Sequence, residues 1–238
     1  MADKQSCIVL GVGPGLGAAV ARRFATAGYA VALAARTESK LGAFADQIAA
    51  AGGSARAYGV DGTDEGQVIG LFEKVEAELG PVGVAVFNAS GRVRAGIAEI
   101  GADEFVEAWK RSCFGGFLLG REAAKRMVPR GEGTILFTGA SASVKGYPGS
   151  APFAMAKFAL RGLAQSLARE LQPEGIHVAH FVIDGGIRNP GRGRAEPRGA
   201  PDSLLDPDAI AATYLATLRQ DRSAWSTEVE LRPWVERF

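Results

Sequence analysis

The sequence is short of the residues that build metal centres and disulfide frameworks. Its 238 residues include only two cysteines, two histidines and three methionines. Two cysteines cannot form the multi-bridge scaffold of a small secreted domain. Cys7, in an apolar strand-like run, and Cys113, in a helical one, are expected to pack as small hydrophobes. His177 and His180 lie three apart in one strand-like run and so point to opposite faces. They cannot share a metal, and with no other histidine in the chain both are assigned to structure. Net charge is also scarce, at +1, which argues against a general nucleic-acid or membrane-surface binder. No run approaches the ~18 apolar residues of a membrane span. The opening, MADKQSCIVLGVGPGLG, lacks the long apolar region and cleavage site of a secretory signal. A reduced, cytoplasmic protein is the simplest expectation.

What the chain does have is a 47% hydrophobic content and a regular alternation of patterns. Short apolar runs at 6–11, 30–35, 54–60, 82–87, 133–138 and 176–183 read as strands. Amphipathic stretches at 15–27, 37–51, 64–79, 103–128 and 151–171 read as helices between them. This alternation implies βαβ units, and near-continuous apolar strands such as VGVAVF imply a sheet buried on both faces. The expected fold is a single α/β domain over 1–238, a Rossmann-like doubly wound parallel sheet in three α/β/α layers. The one break in composition is 185–207, GGIRNPGRGRAEPRGAPDSLLDP, dense in Gly, Pro and Arg. It reads as a mobile lid over a substrate crevice. A helix at about 207–219 and a strand near 227–232 close the pattern.

The first strand runs directly into GVGPGLG, with glycines at 11, 13, 15 and 17, and a helix pattern follows at once. Glycine permits a tight turn with positive φ, and its missing side chain admits a pyrophosphate. The new helix offers that anion unpaired N–H groups and the positive end of its dipole. A plain strand–helix turn is the alternative, but motif, strand and helix coincide as a dinucleotide site demands. The spacing Gly11-x-x-x-Gly15-x-Gly17, VDGTD at 60–64, NASG at 88–91 and Lys157 on the long helix after strand five occur in order. With them the chain resembles the short-chain dehydrogenase/reductase family to about residue 231.

The resemblance implies a nicotinamide cofactor cradled by Gly11, Gly13, Gly15, Leu16 and Gly17. Asp61 would accept a hydrogen bond from the adenine amine, and Asn88 and Ala89 would lie beneath the adenosine ribose. After strand two, Ala35 stands where a carboxylate would bind the 2′-OH of NAD, and Arg36 follows. An arginine fork suits a 2′-phosphate, so NADP(H) is preferred over NAD(H), unless Arg36 is only a solvated loop charge.

The family's chemistry rests on a Ser, a Tyr, a Lys and an Asn. Lys157 matches the ribose-binding lysine; the bland alternative is a lysine snorkelling from an apolar helix that carries Phe153, Phe158, Leu160, Leu163 and Leu167. The Tyr position is Phe153, which cannot carry a proton. The Ser position, thirteen residues before Phe153, falls on Ala140. Ser141 is next to it and would serve after a one-residue slip, or would simply cap the loop. The Asn position falls on Ser112, which either replaces the asparagine or bonds back to its own helix turn. Asp184, in VIDGG, would approach the nicotinamide side as a base or positioning group, or would form an ordinary Asp-Gly turn. Tyr147, ten residues before Lys157, is a remoter candidate for a substitute acid.

Two readings of function follow. One is an NADP(H)-dependent oxidoreductase acting on a small carbonyl or alcohol with an altered catalytic set. The other is an NADP-binding protein without redox turnover, a sensor or partner subunit. The resemblance also implies a homodimer or homotetramer paired through the helices at 103–128 and 151–171. The terminal segment with Trp225 and Trp234 would join that contact or pack on the core.

Overall fold

The computed structural model describes residues 5–236; residues 1–4 and 237–238 of the expected domain lie outside the described residues. Seven parallel strands form one sheet: β1 (Ser6–Leu10), β2 (Ala30–Ala35), β3 (Ser54–Gly59), β4 (Val82–Phe87), β5 (Gly133–Thr138), β6 (Ile176–Ile183) and β7 (Glu228–Leu231). Their order is β3-β2-β1-β4-β5-β6-β7. Strand succession therefore reverses between β1 and β4, and the crevice of a doubly wound sheet opens at that point. The helices are α1 (Leu16–Thr26), α2 (Gly42–Ala50), α3 (Glu65–Leu79), α4 (Ala102–Trp109), α5 (Gly115–Met127), α6 (Ala151–Leu171) and α7 (Pro207–Leu218).

The layers follow from the apolar pattern. β1, β4 and β6 are buried at every position, as strands covered on both faces must be. On one face α3, α5 and α6 bury Phe72, Leu118 and Leu160 against Phe87 and Phe137 of the sheet. On the other, α1, α2 and α7 bury Phe24, Ile48 and Tyr214 against Leu33 and Phe181. Each such side chain contributes at most ~1.5–3 kcal/mol of transfer free energy. Polar residues set the helix starts: Asp64 caps α3 by accepting the Gln67 N–H at 2.9 Å. Asp206 does the same for Asp208 at 2.8 Å, with Pro207 preset for the first turn of α7.

Several sequence expectations need adjusting. The helix expected over 37–51 is a single turn at Glu38–Lys40 followed by α2. The helix expected over 103–128 is interrupted by a π turn at Lys110–Phe114. The apolar face expected of α6 is not continuous, because Phe158 lies exposed. The 185–207 segment has more order than its composition suggests. Ile187 pairs with Leu205 and Asn189 with Arg194, and Arg188 meets Asp206 at 2.5 Å. Both histidines are structural, as expected. His177 stacks on Trp225, with ring centroids 4.7 Å apart, and its Nε2 contacts the Ser226 carbonyl at 2.9 Å. Trp225 thus packs on the core, while Trp234 stands exposed. Among the described residues, no helix is long and apolar enough to cross a membrane, and no group of His, Cys, Asp and Glu could hold a metal ion.

At the reversal point the chains from β1 and β4 nearly touch. Gly11 has φ +101°, and a Cβ there would lie 2.4 Å from the Ala89 nitrogen. Backbone strain and overlap act together in a Gly11→Ala variant. Loss of ~2–5 kcal/mol is expected, read as a fall in the urea midpoint at unchanged slope; an unshifted midpoint would show the two loops free to separate.

Candidate active site

The glycine turn is built on a short hydrogen-bond frame. Gly11 and Val12 donate to the Ala34 carbonyl at 2.8 and 3.1 Å, tying the turn to β2. Asn88 donates from its backbone to Leu10 O at 2.8 Å and from its side chain to Gly11 O at 2.9 Å. Gly17 lies so close to this turn that a Cβ would sit 2.7 Å from Gly11 O. No side chain caps the N terminus of α1, and its first turn holds no acidic residue. Its leading N–H groups therefore face a cavity of about 340 Å³, the setting in which a helix start binds an anion.

That cavity brings together most of the cofactor residues expected from the sequence. Gly11, Gly13, Gly15, Leu16, Gly17, Arg36, Asp61, Asn88 and Ala89 all line it. Arg36 projects from the end of β2 without an ion pair among the described residues. Asp61 accepts from the Thr63 N–H at 2.9 Å and its hydroxyl at 2.8 Å. Partial burial pushes the Asp61 carboxyl up, but these two donors, with Arg36 and Arg111 nearby, hold it below its ordinary value. Asn189 and Arg192 also line the cavity. A Cβ on Gly15 would lie 3.0 Å from Asn189 Nδ2, so the 185–207 segment does lie over the turn. The sequence flagged that segment by composition but gave no reason to single out Asn189 or Arg192.

The catalytic candidates lie apart from this cavity. Lys157 is buried, and its ammonium donates to the Thr138 carbonyl at 2.7 Å. Burial pushes the amine down to about 8, with the Cys113 thiol a smaller opposing influence. It does not snorkel to solvent. The Phe153 ring lies one turn earlier, its centroid 5.9 Å from Lys157 Nζ. Ser141 stands half-buried on the one-turn helix Ser141–Ser143, its hydroxyl without a hydrogen bond among the described residues. The loop cap is Ser143, not Ser141: its Oγ accepts the Ala140 N–H at 3.2 Å and contacts His180 Nε2 at 3.3 Å.

Two expectations are corrected here. Ser112 neither faces the cavity nor bonds back to its own helix. Fully buried on the π turn, it accepts the Gly91 N–H at 2.8 Å and donates to the Gly91 carbonyl at 3.0 Å. Asp184 does not reach the cavity either. Its carboxylate lies 3.4 Å from Lys145 Nζ and 3.5 Å from Arg232 Nη2, and its N–H joins Leu231 O. Two cations already compensate it, and its charge makes it a packing element beside β7. Tyr147 is exposed with Lys145 5.9 Å from its ring centroid, and nothing links it to Lys157. A residue the sequence did not single out is Arg92, whose guanidinium carbon lies over the Phe153 ring, 5.0 Å from its centroid.

Comparison with known proteins agrees with this geometry. The family model described as short chain dehydrogenase matches residues 5–191. A short chain dehydrogenase of Pseudocercospora fijiensis is 32% identical over 206 residues, which are 85% of this chain and 63% of that protein. The chain thus spans less than two thirds of that relative's length. The crystal structure of a short-chain dehydrogenase from Rhodopseudomonas palustris is 37% identical, with TM-score 0.85 over 97% of this chain and 99% of that one. A metagenomic short-chain oxidoreductase solved in complex with NADP is 26% identical, with TM-score 0.84 over 98% and 99% of the two chains.

The buried ammonium makes stability depend on pH. An amine held near 8 in the fold and near 10.5 when free leaves the unfolded chain binding more protons between those values. The resulting penalty on the folded state, ~3 kcal/mol, is complete below pH 8 and fades toward 10.5. The stability of wild type relative to Lys157→Met should therefore rise by ~3 kcal/mol across that window, measured by chemical denaturation. A difference independent of pH would show that the ammonium is not desolvated.

Proposed function

The chain belongs to the short chain dehydrogenase family, and from that premise we propose that it is an NADP(H)-dependent oxidoreductase acting on a small carbonyl or alcohol compound. The observation that carries this reading is the cavity in which the glycine turn, the uncapped start of α1 and the unpaired Arg36 converge. Gly11, Gly13, Gly15, Leu16 and Gly17 hold the pyrophosphate through backbone N–H groups. Arg36 takes the 2′-phosphate, there being no carboxylate at Ala35 to repel it. Asp61, kept ionised by Thr63, accepts from the adenine amine, and Asn88 and Ala89 support the adenosine ribose. The solved relative bound to NADP lends support to the choice of cofactor.

A bound nicotinamide supplies or accepts the hydride, and the protein supplies orientation and electrostatics. Lys157, cationic below about pH 8, offers its ammonium to the nicotinamide ribose. Ser141, with its hydroxyl uncommitted, orients the substrate oxygen. Phe153 fills the proton donor's position without donating. Ser112 shapes the wall by fixing Gly91 rather than by holding a water. Asp184 has no part in the chemistry. A binding protein without turnover rests on Phe153, Ala140 and Ser112 at the positions of the Tyr, Ser and Asn, and the dehydrogenases among the relatives give it no support. The exposed Val106, Phe117, Met155 and Phe158 of α4, α5 and α6 favour a homodimer or homotetramer joined through these helices.

Calorimetric titration tests the cofactor. NADPH is expected to bind more tightly than NADH, and Arg36→Ala to weaken NADPH roughly tenfold or more while leaving NADH nearly unchanged. No binding of either nucleotide would overturn the reading. A Phe153→Tyr variant should raise the rate of carbonyl reduction by up to ~10²–10⁴-fold. An unchanged rate would mean that Phe153 does not occupy the proton donor's place.

A further inference from the structure

Many arginines of the described residues lie in ion pairs, while others, among them Arg23, Arg169, Arg192, Arg198, Arg219 and Arg222, do not. Arg22, Arg56, Arg111, Arg121, Arg126, Arg130, Arg161 and Arg188 each meet a carboxylate. Arg92, Arg94 and Arg194 take part in no ion pair among the described residues. All three are exposed, and Arg94 and Arg194 lie near enough to Arg92 for their charges to act on it. Partial burial and the neighbouring charges of Arg94 and Arg194 push the Arg92 guanidinium below its ordinary value.

Arg92 is held in place by its surroundings. Ser112 clamps both the N–H and the carbonyl of Gly91, the residue immediately before it. A Cβ on Gly91 would lie 3.1 Å from Ala108 Cα, so the chain is pressed against α4 at this point. Arg92 then lays its guanidinium over Phe153, 5.0 Å from the ring centroid, on the ring that Lys157 approaches to 5.9 Å. A guanidinium held over a ring keeps N–H groups available to grip a planar anion in a bidentate pair. The chain at Arg194 pairs with Asn189, which lines the nucleotide cavity. Arg92, Arg94 and Arg194 do not themselves line that cavity, so the anion they await is not the cofactor's phosphate.

We infer that the substrate carries an anionic group, carboxylate or phosphate, which Arg92 binds over Phe153 with Arg94 and Arg194 beside it. The inference rests on the oxidoreductase reading for the word substrate, while the anion site itself stands on the arginine geometry. Arg92 is thereby a specificity-determining residue. The same ring that lacks a hydroxyl serves as the platform for the cation.

Three aldehydes of one skeleton test this: 4-carboxybenzaldehyde, 4-formylphenyl phosphate and the neutral methyl 4-formylbenzoate. Their dissociation constants are measured by calorimetry on the full chain, alone and with saturating NADP⁺, which blocks reduction. At least one anionic probe should bind roughly tenfold or more tightly than the ester; which of the two binds better identifies the anion. That preference should shrink with added salt and vanish in Arg92→Gln. Arg92→Lys should retain part of it, and NADPH affinity should be unchanged in both variants, which also reports that they fold. Equal binding of all three aldehydes by the wild type, or an anion preference that survives Arg92→Gln, would overturn the inference. Failure of NADPH to bind would sink the oxidoreductase reading alone, because the anion preference is read in the free protein as well.

Discussion

The close approach of Gly11 to Ala89 is the constraint on which both the sheet and the site depend. Strand order reverses between β1 and β4, and a crevice at such a point forms only if the chain leaving each strand turns to opposite sides. Asn88 holds the two departing loops together through Gly11 O, and Gly17 brings α1 down onto the same carbonyl. Three backbone segments meet where no side chain fits. The anion-accepting start of α1 is therefore fixed by the same contact that fixes the sheet, and no separate binding loop is needed. A residue that relaxes this contact affects folding and nucleotide binding together.

Lys157 is a buried ammonium held at a cost in stability. Burying an ammonium is unfavourable unless it is paired, and its one hydrogen bond is to the Thr138 carbonyl at the end of β5. Thr138 in turn shares a hydrogen bond with Tyr214 on α7 at 2.9 Å, and Tyr214 stacks on Phe181 of β6, centroids 3.7 Å apart. The lysine is thus connected through the sheet to the helix layer behind it. A core built for stability alone would place a methionine or leucine there. Retaining a charge in this position makes sense if a ligand later shares it, as a ribose would.

The fold was legible because its signals are local and repeated. Apolar strands, amphipathic helices and the glycine turn agree with one another along the chain, and nine cavity residues were named from motif positions alone. What the sequence concealed depends on contacts between distant segments. Ser112 and Gly91 are 21 residues apart, and nothing in either neighbourhood announces a clamp. The π turn that carries Ser112 leaves no break in the apolar pattern of 103–128, so one long helix was the natural reading. Asp184 read as an Asp-Gly turn or as a charge beside a nicotinamide because its partners, Lys145 and Arg232, are far away in sequence. Ser141 and Ser143 differ only in which one the loop turns inward. Arg92 follows NASG by a single residue, yet its meeting with Phe153 depends on α4, α6 and the clamp together.

On the proposed reading, in which Phe153 fills the proton donor's position, the missing hydroxyl and the arginine over the same ring belong together. A tyrosine there would compete for the substrate oxygen with any cation nearby, and its hydroxyl would lose its proton more readily beside both Lys157 and Arg92. Phenylalanine removes that titration and leaves a π face that attracts a cation. The guanidinium cannot act as a proton donor at ordinary pH, so it stabilises negative charge and does not transfer a proton. A site arranged in this way suits a substrate that brings its own charge, and whose proton comes from solvent through the exposed side of the crevice. Ser112 donates its one hydroxyl proton to the Gly91 carbonyl and is fully buried, so it does not face the crevice. On the proposed reading, Phe153 and Arg92 form one arrangement that favours anion recognition over proton delivery.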